Sequence, residues 1–121
     1  MPQTECILSK NDKERAMPVV VTALQQNVGW IDARALQYLI EDTTGMRVST
    51  GRIRGIIHYI RKHGLVKNLI ASGRGYRKAK DTVELRRYLD DLQSRAMAIH
   101  DIQAALKRQG EEVFGHQLIL S

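Results

Sequence analysis

Four isoleucines define one helix of this chain together with its buried face. They follow the i, i+3, i+4, i+7 spacing of one side of an α-helix and are Ile53, Ile56, Ile57 and Ile60. Ser49 or Thr50 precedes them as a candidate N-cap, and Gly64 follows them at the position of a C′ glycine. The sequence therefore predicts a helix over residues 50–63 that packs its isoleucines against a core.

A β-hairpin is predicted directly after this helix. Residues 65–71 have the composition of a short strand, residues 72–75 that of a tight turn, and residues 76–79 that of the returning strand. Arg74 lies at the tip of this hairpin.

Two further helices are predicted upstream of the isoleucine helix. Pro18 suits the first turn of a helix that continues to about Asn27. Asp32 is a plausible N-cap for the next helix, and Gly45 ends it. Between these helices, Trp30 is expected to anchor the core with its large apolar ring.

The basic side chains of the chain are concentrated in one region. Residues 47–80 contain ten Lys and Arg and no Asp or Glu, whereas the whole chain has 19 basic and 13 acidic residues. The rest of the sequence is therefore mildly acidic. A segregated positive field attracts a polyanion, and nucleic acid is the usual one.

The outer face of the isoleucine helix is basic and contains two glycines. At about 100° per residue, the residues pointing away from the isoleucines are Gly51, Gly55, His58 and Lys62. Arg52 and Tyr59 lie on one flank. Each glycine costs up to about 1 kcal/mol relative to alanine. Close approach to another surface would explain them, but so would a first-turn position for Gly51 and contact of Gly55 with a neighbouring helix.

A basic helix followed at once by a hairpin resembles the recognition helix and wing of the winged helix-turn-helix family. The order of elements over residues 17–80, about half the chain, is similar to that family. The sequence GYRKA at residues 75–79, leading into a helix with an acidic start, is similar to its small phage and prophage-type members. The resemblance implies an α+β, mostly helical fold with a winged helix domain over residues 16–80. It also implies a regulator of transcription or, in phage settings, a replication or lysogeny control factor.

The expected partner is double-stranded DNA, held by the helix in the major groove and by the wing on the backbone or in the minor groove. The residues expected to contact DNA from the helix and its N-terminus are Ser49, Thr50, Arg52, Arg54, His58, Tyr59, Arg61 and Lys62. Those expected to contact it from the wing are Lys67, Arg74, Arg77 and Lys78.

The sequence is compatible with two other binding functions. A winged-helix adaptor could present the same basic face to an acidic host protein, and it would then show little affinity for a generic duplex. RNA binding is less favoured, because only Tyr59 and Tyr76 offer stacking surfaces in the basic region.

A long C-terminal helix is predicted over residues 81–109, ending at Gly110. Its apolar residues recur in a heptad-like seam comprising Leu85, Leu89, Leu92, Ile99, Ile102 and Leu106, which Arg95 interrupts. Such a helix is about 43 Å long and outreaches a small winged domain. We therefore favour a homodimer formed through this coiled-coil-like helix over a helix folded back on its own domain.

The two ends of the chain carry weaker signals. Residues 1–15 are polar and are expected to form a flexible arm. In the tail, residues 110–121, the apolar run at positions 118–120 could pack across a dimer as a strand or could be disordered. The single cysteine, Cys6, cannot form an internal disulfide, and the N-terminus has no signal-peptide layout, so we expect a soluble cytoplasmic protein without membrane contact.

No catalytic or metal-binding motif is present in the sequence. A P-loop, a G-x-S-x-G and an H-E-x-x-H are all absent, and the four histidines are dispersed. We therefore expect neither an enzyme nor a bound metal or cofactor.

Overall fold

The computed structural model describes residues 8–115, and the chain divides into two units after Asp81. The first unit contains α1 (Met17–Gln26), α2 (Ala33–Thr44), α3 (Thr50–His63) and an antiparallel hairpin of β1 (Leu69–Ser72) and β2 (Gly75–Lys78). The second unit contains α4 (Thr82–Phe114). The fold is α+β and mostly helical with a long C-terminal helix, as predicted.

The segment before α1 is helical, which corrects the flexible arm expected over residues 1–15. Asp12–Ala16 form a π-helical turn that runs directly into α1. Asp12 and Ala16 lie four positions apart, on the same side of the helix, and both are buried. This part of the expected arm therefore belongs to the first unit, while residues 1–7 lie outside the described residues.

The core of the first unit lies between its three α-helices. All four isoleucines of α3 are buried, as predicted from their spacing, and they pack with Val20 and Leu24 of α1 and with Leu36 and Ile40 of α2. Burial of each isoleucine contributes about 2 kcal/mol. This apolar contact fixes the rotation of α3 about its own axis and hence decides which of its residues face outward.

The predicted caps fix where α2 and α3 begin and end. Asp32 Oδ1 accepts a hydrogen bond from the Ala35 amide at 2.9 Å, and Ser49 Oγ accepts one from the Arg52 amide at 3.1 Å. Gly45 and Gly64 end the two helices with φ of 77° and 65°, a left-handed conformation that suits glycine.

A backbone bridge joins the hairpin to the region between α1 and α2. The Tyr76 amide donates to the Ile31 carbonyl at 2.9 Å, and the Ile31 amide donates to the Tyr76 carbonyl at 3.0 Å. β1 begins at Leu69 rather than at residue 65, because the Leu65 amide still donates to the Ile60 carbonyl and Asn68 has a positive φ of 58°. The bridge therefore anchors the hairpin close to its turn, since Tyr76 follows directly on Gly75, the first residue of β2.

The C-terminal helix is longer than predicted. α4 passes through Gly110 and ends at Phe114, where the Gly115 amide donates to the Glu111 carbonyl at 3.0 Å. A glycine inside a long helix costs only about 1 kcal/mol, so Gly110 is not a stop signal here. The apolar run at positions 118–120 lies outside the described residues. Within residues 8–115, no helix is both long and apolar enough to cross a membrane.

Candidate nucleic-acid interface

The outer strip of α3, defined by Gly51, Arg54, Gly55, His58 and Lys62, points away from the core. Arg54, His58 and Lys62 are exposed, as the helical spacing predicts. The side chains of Arg54 and His58 make no hydrogen bond or ion pair with any other residue of the 8–115 range. The outer strip therefore presents two side chains that are available to a ligand.

Arg52, which is predicted to read DNA bases, is engaged within the protein and is not one of these available side chains. Its guanidinium forms a two-pronged pair with Asp12, with Nε donating to Oδ2 at 3.1 Å and Nη2 donating to Oδ1. Nη1 donates in addition to the Arg47 carbonyl at 3.2 Å. The hydrogen bond to Asp12 raises the pKa of Arg52 above its ordinary value. Arg52 thus ties α3 to the N-terminal segment.

The same flank of α3 also holds Tyr59, which the structure places in contact with other side chains. Tyr59 is half-buried, its ring lies 4.2 Å from the ring of His63, and Lys13 Nζ lies 5.4 Å from its centroid. The N-terminal segment therefore covers the flank of α3 that carries Arg52 and Tyr59. The opposite flank, with Arg54, stays open.

The remaining predicted residues of α3 are less exposed or already engaged. Arg61 is half-buried, and Arg61 and Lys62 each take part in an interaction within the protein. The Ser49 hydroxyl caps α3, and Thr50 is half-buried in its first turn. The backbone amides of this first turn nevertheless lie at a helix N-terminus, where a phosphate is favoured.

Two predicted wing residues hold the hairpin in place instead of facing outward. The Arg77 guanidinium lies 4.3 Å from the centroid of the Trp30 ring, and Lys78 Nζ donates to the Gln25 carbonyl at 3.0 Å, at the C-terminal end of α1. Trp30 is accordingly half-buried beneath Arg77 and is not the core anchor that we expected. Both side chains are committed to packing the hairpin against the first unit.

The hairpin tip presents a cation that has no side-chain partner in the described part of the chain. Arg74 is exposed, and only its backbone amide is engaged, donating to Ser72 Oγ at 3.0 Å. Lys67 is exposed in the loop before β1, and its side chain makes no hydrogen bond or ion pair within residues 8–115. Arg54, Lys67 and Arg74 are thus the predicted cations that remain available.

Arg47 belongs to the same basic surface, although the sequence reasoning did not select it. Its Nε lies 3.2 Å from Glu41 Oε1, and both side chains are more than half exposed. An exposed pair of this kind contributes at most about 1 kcal/mol, so Arg47 can exchange Glu41 for a phosphate at little cost. Its position at the start of the acid-free stretch is the sequence signal that could have identified it.

The described residues contain no cluster suited to a metal ion. No group of three or more His, Cys, Asp or Glu side chains comes together within residues 8–115.

Comparison with protein-family models, with curated proteins and with solved structures gives no match to this chain.

Proposed function

We propose that this chain binds double-stranded DNA as a winged helix-turn-helix protein and acts as a regulator of transcription. α3 would enter the major groove, and the hairpin would act as a wing on the backbone or in the minor groove. The proposal rests on two arginines whose side chains have no partner within residues 8–115, Arg54 on the outer strip and Arg74 at the hairpin tip. Both lie in a stretch without any carboxylate.

The chemistry of the outer strip suits the edges of bases. The Arg54 guanidinium can donate two hydrogen bonds to O6 and N7 of guanine, and His58 can donate to or accept from a base one turn further along the helix. Gly51 adds no side chain next to Arg54, so the backbone of the first turn can come close to a phosphate.

The hairpin suits the DNA backbone. Its turn end is held by the Ile31–Tyr76 bridge and its base by the Lys78 bond to α1, so Arg74 is carried on an anchored element. An arginine at such a tip can hold a phosphate or enter a narrow minor groove.

The first test is binding of a fluorescent generic duplex as the salt concentration is raised. For the wild type we expect affinity to fall linearly on a log–log scale, because bound cations displace counterions. Arg54→Ala and Arg74→Ala should each reduce the slope by about 1 and weaken binding by roughly 1 kcal/mol or more. Lys107→Ala removes the same charge from an exposed position of α4 and should leave binding unchanged. An absence of duplex binding even at low salt would contradict the proposal.

The two arginine variants should differ in sequence dependence. If Arg54 reads a base, sites selected from random duplexes should show a preferred base at one position. Arg54→Ala should weaken that preference. Arg74→Ala should weaken all sequences about equally if Arg74 holds a phosphate. Equal behaviour of the two variants would place Arg54 on the backbone as well.

Gly51→Ala tests close approach. An alanine Cβ at this position would meet only Ser49 Oγ, at 3.8 Å, so the protein has room for it. We expect stability to stay constant or rise by up to about 1 kcal/mol, because alanine is the better helix former. Duplex affinity should nevertheless fall if α3 lies against a phosphate. A variant that is more stable and binds as well as the wild type would assign Gly51 no role in binding.

A second candidate function is that of an adaptor for a host protein, or a phage replication or lysogeny control factor. The exposed apolar residues of α4, such as Ile99 and Val113, favour contact with another polypeptide. An adaptor would bind an acidic protein through Arg54 and Arg74 and would show no steep salt-dependent affinity for duplex DNA. The salt titration therefore separates an adaptor from a DNA-binding protein.

A further inference from the structure

The far half of α4 exposes a row of large apolar side chains. No residue of this helix is buried, and four of the exposed ones recur with spacings of three, four and seven: Ile99, Ile102, Leu106 and Val113. They are 70%, 62%, 59% and 72% exposed, whereas Leu85 and Leu92 in the near half are half-buried. A row of this kind on a helix surface marks a contact with another helix.

The row is longer than the sequence alone suggested. Because α4 passes through Gly110, Val113 joins Ile99 and Leu106 on the seven-residue repeat. A seven-residue repeat keeps the same face turned toward a partner helix along its whole length. A helix that covers the row from Ile99 to Val113 needs about four turns, and α4 of a second copy supplies them.

Arg95 decides the direction in which two copies can pair. It lies on the same face as Ile99 and Ile102, and its Nη2 is 2.9 Å from Asp91 Oδ2 on its own helix. In a parallel, in-register pair each residue meets itself, so two guanidinium groups would face each other at the contact. An antiparallel pair avoids this repulsion, because Arg95 then meets a different residue.

We infer that residues 95–113 of α4 pair antiparallel with the same residues of a second copy, with Ala104 at the centre of the overlap. In this register Ile102 lies opposite Leu106 of the second copy, and Leu106 lies opposite its Ile102. Ala104 lies level with Ala104 of the second copy, and its small side chain lets the two helices approach closely.

The same register places Arg95 next to an apolar residue and a carboxylate of the second copy, at the end of the overlap. Arg95 lies opposite Val113 and beside Glu112 of the second copy. Its aliphatic stem can cover the valine while its guanidinium meets the carboxylate. Two such contacts form in each pair, one at either end.

The charges of this segment favour two identical copies. Residues 95–114 carry three basic and three acidic side chains, so two segments meet without net repulsion. The basic stretch at residues 47–80 could not pair with itself in this way. Pairing through α4 does not depend on whether the first unit binds DNA.

The oligomeric state is the first test, measured on the full chain by light scattering across a range of concentrations. We expect a mass of twice 13.8 kDa for the wild type at high concentration. Ile102→Glu should give the monomer mass, because it places a charge at the centre of the contact. Met97→Glu is the matched control: Met97 is also exposed, at 59%, but points away from the row, so this variant should remain a dimer. A monomeric wild type at all concentrations would overturn the inference.

A charge exchange tests the direction of pairing. Arg95→Glu and Glu112→Arg should each shift the dimer toward monomer, and the double variant should recover at least part of the loss. In a parallel pair these two positions are about 25 Å apart along the helix, so no recovery would occur. Failure of the double variant to recover would overturn the antiparallel register.

A distance measurement provides an independent readout. Cys6 is the only cysteine, so a Cys6→Ser background with Gln93→Cys carries one spin label per copy. The register places the two labels roughly 33 Å apart along the helix axis, and a parallel pair places them at the same level. A label separation near the width of two helices would overturn the antiparallel arrangement even if the protein is a dimer.

Discussion

Gly75→Ala is expected to destabilise the first unit by about 3 kcal/mol or more. Gly75 has a φ of 121°, which side chains rarely adopt, and an added Cβ would overlap the Ile31 carbonyl and lie 2.8 Å from Asp32 Cα. Both contacts are with backbone, which cannot turn aside. The alanine would therefore push the hairpin away from the Ile31–Tyr76 bridge.

The measurement is urea or thermal unfolding followed by the fluorescence of Trp30, which lies in the first unit. A loss of about 3 kcal/mol corresponds to a fall in melting temperature of roughly 12 °C or more. Gly73→Ala in the same turn is the matched control, because its added Cβ would meet nothing within 4 Å and its φ is not positive. If both variants unfold like the wild type, the hairpin is not held against Ile31 as described.

Arg52→Ala is expected to cost about 2 kcal/mol of stability. The Asp12 side chain is only 6% exposed, so removing its cation leaves a buried carboxylate without its charged partner. Arg54→Ala, two positions along the same helix, removes an exposed arginine that has no partner among residues 8–115. It should change stability by less than about 0.5 kcal/mol.

For DNA binding, measured under conditions in which both variants are folded, we expect the opposite ranking from that for stability. Arg54→Ala should lose affinity and Arg52→Ala should lose little, since Arg52 is held by Asp12. The double variant Asp12→Ala/Arg52→Ala should be more stable than the sum of its single variants predicts, because neither charge is left buried alone. Additive losses would show that the pair is not coupled.

Much of the first unit could be predicted from local sequence signals. The spacing of the isoleucines identified the buried face of α3, and Asp32, Ser49, Gly45 and Gly64 identified where two helices begin and end. These signals are local, since a cap or a helical stripe depends on residues within one or two turns.

The features that the sequence did not show are contacts between distant residues. Asp12 and Arg52 are 40 positions apart, and a polar N-terminal segment gives no sign that one of its carboxylates is buried. Arg77 and Lys78 looked like any other cations of the wing, because the composition of a strand does not reveal whether an arginine meets a tryptophan ring or a lysine meets a helix end. The predicted site therefore contains more cations than the structure leaves unengaged at the surface.

The attachment of the hairpin has a consequence for the order of folding. The helices of the first unit are built from local hydrogen bonds, whereas Lys78 and Gln25, which join the hairpin to α1, are separated by 53 positions. Contacts between such distant residues close a large loop of chain and form slowly. We therefore expect the helices to assemble first and the hairpin to dock last, with the change in Trp30 fluorescence lagging behind the gain of helical circular dichroism during refolding.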